Sequence, residues 1–168
     1  MTNIGRMMKM EIVKHIYKWK ANPKPVSKKT EIVLHCSATP EGKDYTVDTI
    51  HKWHLSRGFN GIGYHYIIYR DGSIHQGRPV MTQGSHATNH NTNGIGICYI
   101  GGCDSTGKKA KDTRTDAQKK ALLHLVDYLM TTYNIPLDKV YGHYQFANKA
   151  CPSFKIEEFK KEYDAHFR

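Results

Sequence analysis

The chain has 168 residues, of which 39% are hydrophobic, 24% charged and 11% aromatic, with 14 Gly and 6 Pro. This is the length and composition of one globular domain, and it excludes whole-chain disorder, collagen-like repeats and a pair of ordinary domains. The formal charge is +10, and residues 1–30 hold eight Lys and Arg against Glu11 alone, so +7 of it sits there and the remainder is nearly balanced.

Residues 1–29 are therefore expected to form a basic N-terminal arm and linker, with the domain at 30–168. The arm reads either as a solvated segment that aids solubility or as one attracted to an anionic partner, which would be nucleic acid, anionic lipid or cell-wall polymer; composition does not choose among them. Glu11 to Trp19 alternates enough for an edge strand, and Asn22-Pro23-Lys24-Pro25 favours extended backbone. No run approaches the roughly 18 apolar residues of a membrane span, and the N-terminus lacks the apolar stretch of a signal peptide, so no transmembrane segment is expected.

Ile32 to Cys36 reads as a buried central strand stopped by Ser37-Ala38-Thr39-Pro40. Thr46 is placed to cap a helix whose inward face holds Val47, Ile50 and His54, with Trp53 a further candidate and Gly58 as its stop. Tyr64 to Arg70, then Asp71-Gly72, then Ser73-Ile74-His75 predict a tight hairpin. Ile95 to Ile100 is a second buried strand. Thr115 and Gln118 have capping-box spacing, and apolar residues from Ala121 to Tyr133 then recur at helical period until Asn134 and Pro136. Lys139 to Gly142 reads as a short strand, and Ser153 is expected to cap a last helix with Ile156, Phe159 and Tyr163 on one face. Strands alternating with helices predict an α/β fold with a mixed sheet, since the hairpin is antiparallel and the long helix permits a parallel return.

The four cysteines form no CxxC pair, so reduced thiols are expected. Among eleven histidines, two stand at strand ends. His35 closes an apolar run, and because strand side chains alternate, His35 and Cys36 face opposite sides. His143 follows Val140-Tyr141-Gly142 and precedes Cys151 by eight residues, a pairing of imidazole and thiol that suits zinc. By itself that spacing is equally that of two packing residues.

Six strings carry more information together than any one does: His35-Cys36-Ser37-Ala38-Thr39, Gly63-Tyr64-His65-Tyr66-Ile67-Ile68, Arg70-Asp71-Gly72, Gly84-Ser85-His86-Ala87, Asn93-x-Ile95-Gly96-Ile97-Cys98 and Lys149-Ala150-Cys151-Pro152-Ser153-Phe154. In order and spacing they resemble the zinc-dependent N-acetylmuramoyl-L-alanine amidases of the phage lysozyme type, relatives of the peptidoglycan recognition proteins. The resemblance spans about residues 31–165. It implies a single domain with a central mixed sheet flanked by helices. It further implies that His35, His143 and Cys151 bind Zn²⁺ and leave a fourth position to water, that Tyr64 and Lys149 are catalytic, and that His86 and Asn93 contact substrate. Cleavage of the amide between N-acetylmuramic acid and L-alanine in bacterial peptidoglycan, by a monomer, is the implied activity. A protein without an export signal would reach the wall after release or export by other means. The alternative is a module that binds muropeptide without cutting it; non-cutting members of the resembled family lack the cysteine ligand, which this chain has.

Overall fold

In the computed structural model, which describes residues 10–168, the buried run becomes the centre of a six-stranded sheet. The strands are β1 (Ile12–Val13), β2 (Glu31–Cys36), β4 (Tyr66–Ile68), β5 (Ile74–Gln76), β6 (Gly94–Tyr99) and β8 (Val140–Gly142), ordered β1-β5-β4-β6-β2-β8. Only β4 and β5 run antiparallel; every other neighbour is parallel. A separate parallel pair joins β3 (Thr39–Pro40) to β7 (Gly102–Cys103). The predicted mixed sheet is the observed one.

Period-two alternation sorts the sheet residues into two cores. Ile32, Leu34 and Cys36 of β2, with Ile95, Ile97 and Tyr99 of β6, pack under α2 (Asp116–Tyr133) and α3 (Ile156–Phe167). Ile67 of β4 lies on the other face, with Val47 and Ile50 of α1 (Val47–Ser56) and the partly buried Tyr17 and Trp19. Parallel strands covered on both faces explain why β2 and β6 read as continuous apolar runs.

Two of the three predicted side-chain caps and the predicted hairpin turn form. Thr46 accepts from the Thr49 amide, and Thr115 and Gln118 make a full capping box. Asp71-Gly72 turns the β4–β5 hairpin: Gly72 has φ +87°, and Asp71 accepts from the Ser73 amide and hydroxyl.

Three local expectations are corrected. Ser153 does not cap α3; its Oγ donates to the Gly102 carbonyl, and Lys155 stands at the N-cap with no side-chain cap bond. Trp53 is 38% exposed and lies against Tyr45, because the inward arc of α1 is filled by Val47, Ile50, His51 and His54. The edge strand is confined to Ile12–Val13, pairing β5 in parallel. Beyond it residues 14–29 lie along the body: Tyr17 donates to the Gln76 carbonyl, and the Lys29 ammonium, 3% exposed, donates to the carbonyls of Thr82, Thr92 and Gly94. The cationic residues Arg6 and Lys9 lie outside the described residues.

Candidate metal centre and its cleft

Strand register builds the centre. Leu34 pairs with Gly142 across β2 and β8, so the next residues along, His35 and His143, emerge side by side at the carboxyl ends of two parallel strands. Their ring centroids are 4.5 Å apart. The turn after β8 then brings back Cys151, whose Sγ lies 3.8 Å from His35 Nδ1. One donor atom from each of His35, His143 and Cys151 lies within 4.8 Å of the others. It is the only such cluster of histidine, cysteine and acidic side chains among the described residues.

The donor set fits zinc. Two imidazoles and a thiolate are its preferred ligands, and ideal Zn–N and Zn–S lengths at a tetrahedral angle place N and S about 3.6 Å apart. Burial holds His35 well below the ordinary imidazole pKa, aided by His86, His143 and Lys149. His143 is lowered as well, by burial and then by Lys149. Both rings are thus neutral, as ligation requires.

Cys151 sits against Cys36. Interaction with Cys151 lowers the Cys36 thiol to about 7, and interaction with Cys36, with burial, pushes the Cys151 thiol up, so the pair carries one negative charge readily and a second only with difficulty. The Cys36 amide donates to Cys151 Sγ at 3.2 Å, a bond that would strengthen once a bound cation drew the charge to Cys151.

His86 lines the cleft and also backs the centre. Its Nδ1 lies 2.9 Å from His35 Nε2, and its Nε2 lies 3.4 Å from the Gly94 carbonyl. The carbonyl can only accept, so His86 carries its proton on Nε2, accepts at Nδ1, and leaves His35 protonated on Nε2 with a lone pair on Nδ1. That Nδ1 is the atom facing Cys151. His86 therefore orients a donor. Gly96 makes room for it: a Cβ there would come 2.6 Å from the His86 ring.

His86, His143 and Cys151 line a cleft of about 470 Å³, with His35 buried behind them. Tyr64 and Lys149 both line it. The Tyr64 ring is 5.2 Å from His35, and burial pushes its phenol well above the ordinary range, with nearby Cys98, Cys151 and Cys36 adding to the shift, so it stays protonated. Lys149 is exposed and lies in a bend, its amide donating to the Ala147 carbonyl. Asn93 does not reach the cleft. It is exposed in the turn before β6, and its carbonyl accepts from the Thr30 and Glu31 amides.

Asn91, two residues earlier, lines the cleft instead, its Oδ1 accepting from the His86 and Ala87 amides. An asparagine that ties down backbone amides in a turn is the signal that separates the two. Arg57, Phe59 and Phe146, which sequence did not single out, also line the cleft, as does His54, read from sequence only as part of the inward face of its helix. His54 accepts the Gly63 amide at Nδ1, and burial lowers its pKa to about 4, with Arg57 and Arg78 adding to the effect. A second hollow of about 540 Å³, between β1, the Asp71-Gly72 turn and α2, lies away from this cluster.

Comparison with known proteins places the chain. A model of the family described as N-acetylmuramoyl-L-alanine amidase matches residues 24–154. The endolysin of Escherichia phage T7 is 40% identical over 128 residues, which is 76% of this chain and 83% of that protein. The endolysin of Enterobacteria phage T3 is 38% identical over 136 residues, covering 81% and 88%. Among solved structures, the endolysin N-acetylmuramoyl-L-alanine amidase LysCS of Clostridium intestinale superposes with a TM-score of 0.79 at 31% identity, covering 92% of this chain and 95% of that one. Drosophila PGRP-LB shares the fold, with a TM-score of 0.73 at 23% identity over 91% and 92% of the two chains. On the match of the family across most of its length, and on relatives at this identity, the chain belongs to the N-acetylmuramoyl-L-alanine amidases and is an amide-hydrolysing enzyme.

Proposed function

We propose that this amidase is zinc-dependent and hydrolyses the bond between the lactyl group of N-acetylmuramic acid and L-alanine in bacterial peptidoglycan, as an endolysin acting on the wall after release. The observation that carries the reading is the convergence of His35, His143 and Cys151 on one point at the cleft floor. Zinc held there supplies a Lewis acid that activates water and polarises the substrate carbonyl.

The remaining work falls to this chain's own side chains. His86, through its bond to His35, keeps the lone pair of His35 Nδ1 turned inward. Lys149 offers a cation beside the carbonyl oxygen as negative charge builds there. Tyr64, protonated and next to His35, donates to the reacting amide or passes a proton to the leaving amine. Asn91 holds the His86–Ala87 backbone at the wall of the cleft, where the stem peptide would lie, and His54 and Arg57 present polar groups from α1. Release of the amine exposes a new α-amino group on the stem peptide.

The decisive experiment pairs metal analysis of the purified protein with mass spectrometry of the products from purified sacculi, with and without a chelator. About one zinc per chain and stem peptides with a free L-alanine amine, both lost on chelation and restored by zinc, are expected. Tight muropeptide binding with no cleaved amide in added zinc would establish a binding module instead.

A further inference from the structure

We infer that the outward face of residues 14–20, carrying Lys14, Ile16, Lys18 and Lys20, is a docking surface for an anionic lipid bilayer. Side chains alternate along this segment. His15, Tyr17 and Trp19 turn inward: His15 Nε2 lies 2.8 Å from His75 Nδ1, Tyr17 donates to the Gln76 carbonyl at 2.6 Å, and Trp19 packs edge-on against His51 at 5.3 Å. The intervening Lys14, Ile16, Lys18 and Lys20 are all exposed, and Ile16 is 100% exposed. In extended chain, residues two apart share a face, so Lys14, Ile16 and Lys18 form a row about 13 Å long at roughly 3.3 Å per residue, with Lys20 exposed at the bend that follows. The inward rings anchor the segment to the body, so the row is presented already ordered and docking loses little conformational freedom.

The chemistry of the row selects the partner. Three ammonium groups complement any polyanion. A nucleic acid, however, gives the fully exposed isoleucine nothing to enter, and for a single strand the aromatic rings on which its bases would stack are committed inward. A lipid interface satisfies both parts, with lysines at the phosphates and an aliphatic side chain in the acyl boundary. The segment continues from β1 at one edge of the sheet, whereas His143 follows β8 at the other.

Flotation of the full chain with vesicles of phosphatidylethanolamine and phosphatidylglycerol, against phosphatidylcholine vesicles and duplex DNA, tests this. Binding to the anionic vesicles that weakens with salt, and none to the neutral ones, is expected. Ile16→Ser is expected to lower partitioning at least tenfold, the loss of about one buried aliphatic side chain. Lys14→Gln and Lys18→Gln should each lower it about fivefold. All three positions are exposed, so these variants should retain parental release of stem peptides from sacculi, which reports that they fold. No binding to anionic vesicles at low salt, or binding unaltered by Ile16→Ser, would overturn the proposal. Binding of DNA unaffected by Ile16→Ser, with no vesicle binding, would assign the face to nucleic acid.

Discussion

His35 owes its suitability as a donor to three neighbours acting at once: burial keeps it neutral, His86 fixes its tautomer, and the β2–β8 register sets it beside His143. Cys151 completes the set, and Cys36 touches it without sharing its role. Cys151→Ala is accordingly expected to lose zinc and hydrolysis together while keeping its circular dichroism, whereas Cys36→Ser should keep near-parental zinc on metal analysis. Equal zinc content in Cys151→Ala and the parent would remove the thiol from the site. Tyr64→Phe and Lys149→Ala should retain zinc and lose about 10²–10³ in kcat each, the usual effect of deleting one transition-state donor. Steady-state rates on sacculi, normalised to bound zinc, decide this, and unchanged rates would exclude both groups from the chemistry. Tyr64 and Lys149 were identifiable in the sequence only as members of motifs, since neither a strand tyrosine nor an exposed lysine is distinctive alone.

At the scale of elements, two contacts tie the sheet to the loop that carries His86. Gly96 on β6 faces the His86 ring at a distance no Cβ tolerates. Gly96→Ala should therefore push His86 from His35 and weaken zinc binding about 10–100-fold, the range seen when an outer partner of a metal ligand is lost. Competition with a chromophoric chelator measures it, and parental affinity would show that His86 does not orient His35. Lys29 is the second tie. Its ammonium gathers three carbonyls at the ends of the loop, and although burial lowers its pKa to about 8, those acceptors favour the charged form. Lys29→Met leaves the carbonyls unpaired and should cost about 1–3 kcal/mol in urea unfolding; a parental midpoint would contradict the pairing. Sequence could not reveal this lysine as structural, because it reads as one more cation of a basic segment.

For the molecule as a whole, buried neutral histidines make stability acid-sensitive. His54 is 5% exposed, and its pKa falls from 6.5 to about 4 on folding. Below pH 6.5 the unfolded chain takes up a proton that the folded one refuses. The stabilisation is therefore complete above pH 6.5 and is lost as pH falls towards 4. At full effect this one group accounts for about 3 kcal/mol. His54→Gln, which retains an acceptor for the Gly63 amide, should flatten the stability curve between pH 6.5 and 4.5 by about 2–3 kcal/mol in urea titrations at the two values. Parallel curves for variant and parent would show that His54 titrates alike in both states.

The sequence alone determined what is local. Apolar runs, two side-chain caps and the Asp71-Gly72 turn specified the principal strands and helices, and strand alternation separated His35 from Cys36 before any coordinates. Motif order then identified the family. Tertiary structure alone decided what depends on residues distant in the chain. His35 and Cys151 are 116 positions apart, and only the β2–β8 register and the turn after β8 make them neighbours. It also moved the cleft asparagine from 93 to 91, set His86 behind a donor, and turned Tyr17 and Trp19 inward beneath an exposed row of lysines. Periodicity states which side of an element a residue occupies; what lies on that side is set by packing between elements, which no local pattern encodes.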